Sequence, residues 1–227
     1  MTDYVVPAAP VTTVPVAGGG RFPVRRVFCV GRNYADHALE MGSDPTREPP
    51  FFFTKPADAV TLAAEIPFDR ISKKFEYEGE LVVAIGTGGG DIDAGKALDH
   101  VYGYSVGCDL TRRDMQGEAK KAGRPWDMSK GFDNSAPIAP LQPAAKIGHP
   151  ATGALTLSVN GVLKQKGDLS QMIWPVPEVI AFLSTLVDLA PGDLIYTGTP
   201  AGVGPLNRGD KVEIACEGIA SFSFTFV

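Results

Sequence analysis

Cysteine and histidine are scarce in this sequence, and their scarcity excludes several kinds of site. The three cysteines, Cys29, Cys108 and Cys216, stand far apart, and no CxxC spacing occurs. This pattern excludes a zinc motif or a disulfide framework and favours a reducing compartment. Only three histidines occur in 227 residues, so imidazole chemistry is limited to few positions.

Long apolar runs and a strong charge imbalance are also missing. The first twenty residues lack the basic start of a signal peptide and are interrupted by prolines. The net charge of −5 argues against nucleic acid as the main partner. A local group of basic residues between positions 112 and 124 suits a small anionic ligand. We therefore expect a cytoplasmic enzyme with neither membrane nor nucleic-acid partners.

Hydrophobic patterning predicts one β-rich α+β domain. Residues 1–22 are rich in Pro, Val, Thr and Gly and predict an extended N-terminal arm before a body of residues 23–227. Asn160-Gly161 between two alternating runs predicts a β-hairpin. Residues 33–41 predict a short helix capped by Asn33, and an apolar stripe predicts another helix over residues 176–187. Strand–helix alternation does not run through the chain, which disfavours a parallel α/β fold.

The stretch "FEYEGELVVAIG" places Glu76, Glu78 and Glu80 at every second position before an apolar run. Alternate side chains of a strand share one face. Carboxylates gathered in this way suit Mg²⁺, Mn²⁺ or Ca²⁺, and Asp109, at the end of another apolar run, also requires a partner or a metal. A solvated strand face with Asp109 capping a turn explains the same spacing, and spacing alone leaves both interpretations open.

Five other residues carry candidate chemistry. His37 and Glu40 lie three residues apart in a predicted helix, as in a general-base pair or a surface salt bridge. Arg113 and Gln116 have the same spacing. Lys130 in "SKGFDNSAP" is either a charge for a substrate carboxylate or a solvated loop residue.

The glycine-rich "YTGTPAGVG" resembles a phosphate loop only superficially, because the GKS/T ending is missing. Its Thr199 hydroxyl and nearby backbone N–H groups remain candidates for holding a carboxylate.

Taken together, six stretches resemble the fumarylacetoacetate hydrolase superfamily, in its small acylpyruvate-hydrolase branch. They occur in the family's order between residues 24 and 226: "CVGRNYADHALEMG", "PPFFFTKP", "YEGELVVAIG", "GYSVGCDLTRRDMQ", "SKGFDNSAPIAP" and "GDLIYTGTPAGVGP". The resemblance implies a mixed β-sandwich roll with a few peripheral helices, and a homodimer. It also implies a lid formed by residues 33–41 and the following "GSDPTREPP".

The resemblance also implies roles for individual residues. The family's Mg²⁺ or Mn²⁺ ligands match Glu78, Glu80 and Asp109, which leaves Glu76 outside the set. The catalytic residues match His37, Glu40 and Lys130, and the substrate-binding residues match Arg113, Gln116 and Thr199. Lys55 belongs to a family motif without a clear role. Arg112 is a departure, because small residues are common at that place.

The implied activity is hydrolysis of a carbon–carbon bond in a 2,4-dioxo acid, a small anionic ketonic substrate. Within the family the chain most resembles bacterial fumarylpyruvate hydrolases of aromatic-compound degradation, which form fumarate and pyruvate. A distal carboxylate would then need a cation, with Arg32, Arg112 and Arg124 as candidates. The alternative is an oxaloacetate or other 2-oxo-acid decarboxylase, or an isomerase, of the same superfamily.

Overall fold

The computed structural model describes residues 4–40 and 48–227, in which strands contain more residues than helices. Five α-helices lie within these ranges: Ala35–Glu40, Arg113–Lys121, Asp127–Lys130, Ala144–Ile147 and Val176–Leu186. Short 3₁₀ turns cover Ala57–Ala59, Ala97–His100 and Leu169–Gln171. The predicted β-rich α+β fold is confirmed.

A six-stranded sheet forms the centre of the molecule. Only one neighbouring pair in it, Asp193–Tyr196 with Arg26–Gly31, is parallel. In spatial order its strands are Gln142–Pro143, Val101–Cys108, Gly79–Ile85, Asp193–Tyr196, Arg26–Gly31 and Phe51–Lys55.

A second sheet of five strands packs over one side of the molecule. The hairpin at its edge turns at Asn160 and Gly161, both at positive φ (52° and 76°), as a type I′ turn requires. In order its strands are Val162–Asp168, Ala154–Val159, Lys211–Cys216, Ala220–Phe226 and Glu65–Ile66. The predicted hairpin is present.

Smaller sheets complete the described fold. They join Thr111–Arg112, Phe75–Tyr77 and Gly204–Pro205 in one set, Thr13–Pro15 with Arg21–Pro23 in another, and Val60–Thr61 with Ala136–Pro137 in a third. Within the described residues no helix has the length and apolar character needed to cross a bilayer.

The apolar run after Glu80 is buried on both faces of the central sheet. Leu81, Val83 and Ile85 pack into the core between the two large sheets. Val82 and Ala84 point to the other face and pack into a second, smaller apolar cluster. A strand covered on both faces has no need of alternating polarity, which explains a continuous apolar run in a mostly antiparallel sheet.

The N-terminal arm supplies part of the smaller cluster. Val14, Val16 and Phe22 are buried in it, and the backbone N–H of Ala17 donates to the carbonyl of Leu141 at 2.8 Å. Removing these side chains would expose the second face of the central sheet. The division into an arm of residues 1–22 and a body of residues 23–227 stays a prediction.

Asn33 does not cap the first helix, contrary to the sequence expectation. Its side-chain amide donates to the carbonyls of Thr197 and Trp174 at 2.8 and 2.9 Å, and its side-chain oxygen accepts from the backbone N–H of Trp174 at 2.7 Å. Asn33 therefore ties three chain segments together beside the site. Part of the predicted lid segment, residues 41–47, lies outside the described residues.

Candidate active site

Strand register brings Glu78, Glu80 and Asp109 together. Gly79 pairs with Cys108 across two antiparallel strands, and the N–H of Asp109 donates to the carbonyl of Glu78 at 2.8 Å. Glu80 stands opposite Gly107, where an added Cβ would meet the ring of Tyr196 at 2.5 Å. One oxygen from each of the three side chains lies within 4.8 Å of the others.

All three glutamates of the stretch "FEYEGELVVAIG" are buried. Glu76, Glu78 and Glu80 are between 2% and 5% exposed, and Asp109 is fully buried. The solvated-face interpretation of this stretch is therefore wrong. Glu76 lies outside the three-carboxylate group, because its Oε2 accepts from Nε of Arg113 at 2.6 Å.

Buried cations surround these carboxylates. Lys130 Nζ lies 2.7 Å from both Glu78 Oε2 and Asp109 Oδ2, and it also donates to the Thr111 hydroxyl at 2.6 Å. Arg113 also pairs with Glu78 Oε1. Burial by itself raises the pKa of Glu78, but Lys130 and Arg113 outweigh it and hold that pKa well below its ordinary value.

Within the described residues Glu80 has no salt-bridge partner, and its pKa shifts in the opposite direction. Its Oε2 accepts from the backbone N–H of Gly198 at 2.8 Å. Burial, followed by the negative charges of Asp109 and Glu78, raises the pKa of Glu80 well above its ordinary value. A divalent cation among the three carboxylates would relieve this repulsion.

Lys55 lies behind Asp109, and sequence reasoning left its role open. Its Nζ is 2.8 Å from Asp109 Oδ1, and it donates to the carbonyls of Leu110 and Lys130. Asp109 Oδ1 makes no hydrogen bond of good geometry despite that short distance, so a lone pair of this oxygen stays available. The family motif was the only signal for Lys55 in the sequence.

The donor set fits Mg²⁺ or Mn²⁺. Its carboxylate oxygens are the hard ligands that these ions prefer. When all groups are ionised, four buried carboxylates face three buried cations, Lys55, Arg113 and Lys130. The net charge of this group is therefore negative, and it becomes positive once a divalent ion is added. A positive net charge favours binding of an anionic ligand.

His37 lines the same cleft as Glu78 and Glu80, and Glu40 follows it three residues later in the helix Ala35–Glu40. His37 Nδ1 is 3.3 Å from Glu40 Oε2, and both carboxylate oxygens of Glu40 accept from the N–H of Gly202 at 3.2 Å. The pair is therefore anchored to the "TGTPAGVG" loop rather than free on the surface. His37 is only 6% exposed.

We call this space the inner cleft; its volume is about 60 Å³. An adjoining outer hollow of about 540 Å³ shares Arg32, Phe51, Phe53, Trp126 and Lys130 with it. We call the buried residues that line the inner cleft its deep end, namely Val30, His37, Glu78, Glu80, Arg113, Gln116, Lys130 and Thr199. We call the half-buried or exposed residues its opening, namely Gly31, Arg32, Phe51, Phe53, Lys120 and Trp126.

The predicted substrate-binding residues differ in what they can offer. The side-chain oxygen of Gln116 accepts from Nη1 of Arg113 at 2.6 Å, which leaves the amide N–H groups of Gln116 for a ligand. Thr199 donates its hydroxyl proton to the carbonyl of Gly79 and accepts from Gln165 Nε2, both at 2.8 Å. Thr199 therefore positions the strand between Glu78 and Glu80, and its predicted substrate contact stays a prediction.

This fold and this buried acidic site define a class of metal-binding protein. The fumarylacetoacetate (FAA) hydrolase C-terminal family matches residues 26–227. The chain belongs to this family.

Solved structures and curated relatives agree with that assignment. A fumarylpyruvate hydrolase from Pseudomonas aeruginosa, solved with Mn²⁺ and pyruvate, is 48% identical over 99% of both chains, with a TM-score of 0.97. A provisionally named fumarylpyruvate hydrolase from Burkholderia cenocepacia is 55% identical over 99% of this chain and 98% of its own, with a TM-score of 0.93.

Two curated relatives have other activities in their names. A mitochondrial oxaloacetate decarboxylase of Dictyostelium discoideum is 43% identical over 86% of this chain and 90% of its own. A mitochondrial oxaloacetate tautomerase of Mus musculus is 40% identical over 88% of this chain and 90% of its own.

Proposed function

We propose that this chain is a divalent-metal-dependent hydrolase that cleaves the carbon–carbon bond of a 2,4-dioxo acid, with fumarylpyruvate as its substrate. The observation that carries the proposal is that His37, which contacts Glu40, lines the same cleft as the buried Glu78 and Glu80. A hydrolase needs a base for water, whereas decarboxylation needs none. The two fumarylpyruvate hydrolase neighbours support this choice.

Glu78, Glu80 and Asp109 would hold the ion. A bound Mg²⁺ or Mn²⁺ would polarise the 2-oxo acid and stabilise negative charge on its oxygen. Arg113 holds Glu78 from one side and Lys55 holds Asp109 from behind, so neither carboxylate has to reorganise when the ligand arrives.

His37 would take the proton from water. Glu40 accepts a hydrogen bond from Nδ1, which fixes the tautomer and leaves Nε2 as the acceptor. The water oxygen then bonds to C4 of the substrate, and the C3–C4 bond breaks with its electron pair passing to the C2 oxygen. Fumarate leaves from C4 onward, and C3 takes a proton to complete pyruvate. Lys130 lies beside the carboxylates and supplies positive charge as negative charge develops.

The second candidate is conversion of oxaloacetate, by decarboxylation or tautomerisation. The curated relatives with those names favour it. It uses the same acidic group and the same Lys130, but it has no need of water activated by His37.

The test follows ultraviolet absorbance of fumarylpyruvate, acetylpyruvate and oxaloacetate with Mg²⁺ or Mn²⁺, with and without EDTA. We expect fast, EDTA-sensitive loss of fumarylpyruvate with fumarate and pyruvate formed in equal amounts. Turnover of oxaloacetate alone would show that the proposed hydrolase activity is wrong and would support conversion of oxaloacetate instead.

A further inference from the structure

Arg32 occupies the junction between the inner cleft and the outer hollow. It follows the strand Arg26–Gly31 and is half-buried, and it lines both spaces. Its guanidinium carbon lies 5.2 Å from the centre of the Phe51 ring. The face of an aromatic ring attracts a cation and restricts its position.

The backbone at Arg32 is unusual for a residue with a side chain. Its φ is 57°, in the left-handed region, where a residue other than Gly, Asn or Asp is uncommon and carries strain. The preceding Gly31 allows close approach, since a Cβ there would lie 2.0 Å from the Phe51 ring. With this backbone conformation the Arg32 side chain lines the inner cleft and the outer hollow rather than packing in the core.

Arg32 has no carboxylate partner within residues 4–40 and 48–227, unlike the cations of the deep end. Arg113 and Lys130 are both held by buried carboxylates. Of the other two arginines considered, Arg112 pairs with Asp69 at 2.6 Å and lies outside both spaces. Arg124 is exposed and lines neither.

The surroundings of Arg32 suit a flat, conjugated anion. Trp126 lies edge-on to Phe51, with ring centres 5.4 Å apart, and 5.7 Å from Phe53. Lys120, which is exposed and also has no described carboxylate partner, lines the inner cleft as well. Aromatic walls bind planar unsaturated chains, and the two cations match a carboxylate at the end of such a chain.

We infer that Arg32, assisted by Lys120, binds the distal carboxylate of the substrate and selects dicarboxylic 2,4-dioxo acids over monocarboxylic ones. The inference rests on the proposed function and specifies its substrate class. The 2-oxo acid end of the substrate lies at the acidic deep end, and the far carboxylate lies at the opening against Arg32.

The test compares fumarylpyruvate with acetylpyruvate, which lacks the distal carboxylate, in wild type and Arg32→Gln. We expect kcat/KM for fumarylpyruvate to fall about ten- to a hundredfold, as for loss of a charged hydrogen bond. The value for acetylpyruvate and the inhibition constant of pyruvate stay within about twofold, because both ligands occupy only the deep end. Arg32→Lys recovers part of the loss.

Arg124→Gln is the matched control, with the same charge change at an exposed arginine that lines neither space. Equal melting temperatures of Arg32→Gln and wild type confirm that the variant is folded. If wild type hydrolyses fumarylpyruvate and Arg32→Gln keeps the wild-type ratio between the two substrates, the inference is overturned and the proposed function stands. If wild type leaves fumarylpyruvate unchanged, the proposed function itself is wrong.

Discussion

The deep end and the opening of the cleft treat charge in opposite ways. At the deep end, Glu78, Asp109 and Lys130 are almost fully buried and bound to one another. At the opening, Arg32 and Lys120 keep access to solvent and have no described carboxylate partner. A buried charge needs a partner because losing its hydration costs free energy. A partly exposed cation remains hydrated by water until a ligand binds. The charged groups of the deep end are therefore held in place before a ligand binds. The cations of the opening stay free to discriminate between substrates, as inferred above for the distal carboxylate.

The largest effect should follow from removing His37, the proposed general base. His37→Ala should lower kcat about 10²- to 10⁴-fold, since a general base contributes about that much. Mn²⁺ affinity, measured by calorimetry, should stay unchanged because His37 is not among the carboxylates. Parallel loss of activity and Mn²⁺ affinity would show that His37 acts through the metal site instead.

Lys55→Met should destabilise the fold by about 3–5 kcal/mol, as for breaking a buried ion pair. The variant leaves Asp109 Oδ1 without its cation and the carbonyls of Leu110 and Lys130 without their donor. Urea unfolding measures the loss. Lys74→Met is the control, because Lys74 is 60% exposed in its pair with Glu76 and should cost less than about 1 kcal/mol. Similar losses for both variants would remove the distinction between buried and exposed pairs.

A partly buried ion pair outside the cleft should give a smaller, pH-dependent effect. Asp69 accepts from the N–H groups of Ile71 and Ser72 and pairs with Arg112. Burial raises the pKa of Asp69, but these contacts lower it overall. Because the folded-state pKa is depressed, the stabilisation is present above the unfolded value of about 3.9 and is lost as pH falls through the folded value.

Asp69→Asn should therefore cost about 1 kcal/mol or less at pH 7, allowing for solvent screening. The difference from wild type should shrink towards pH 2. Urea unfolding at both pH values checks this, with the exposed Asp133→Asn as the control. A difference that stays constant with pH would mean that packing, not charge, stabilises this turn.

The smallest effect is expected from removing the charge of Lys120 at the opening of the cleft. Lys120→Gln should raise KM for fumarylpyruvate about two- to fourfold at low salt, as for a solvent-exposed ion pair. The change should vanish near 1 M salt, where the screening length is about 3 Å. Lys121→Gln, one residue further and outside both spaces, should have no effect. An unchanged KM for Lys120→Gln would leave Arg32 as the sole cation of the distal subsite.

Several elements follow from local sequence. Asn160-Gly161 predicts its hairpin because a type I′ turn needs two residues at positive φ. The apolar stripe of residues 176–187 predicts the helix that the structure places at Val176–Leu186. The alternation of Glu78 and Glu80 predicts carboxylates on one face, since the period of a strand is two. The burial of these carboxylates does not follow from that period.

The sequence by itself determined the β-rich class, the hairpin, the order of motifs and the acidic residues that face one way. Only the tertiary structure decided that Glu76 pairs with Arg113, that Lys55 lies behind Asp109, and that Arg32 rather than Arg112 or Arg124 faces the cleft. The reason is physical. Turn chemistry and periodicity act over a few residues, whereas these contacts join positions tens of residues apart through strand register and burial, which no local pattern encodes.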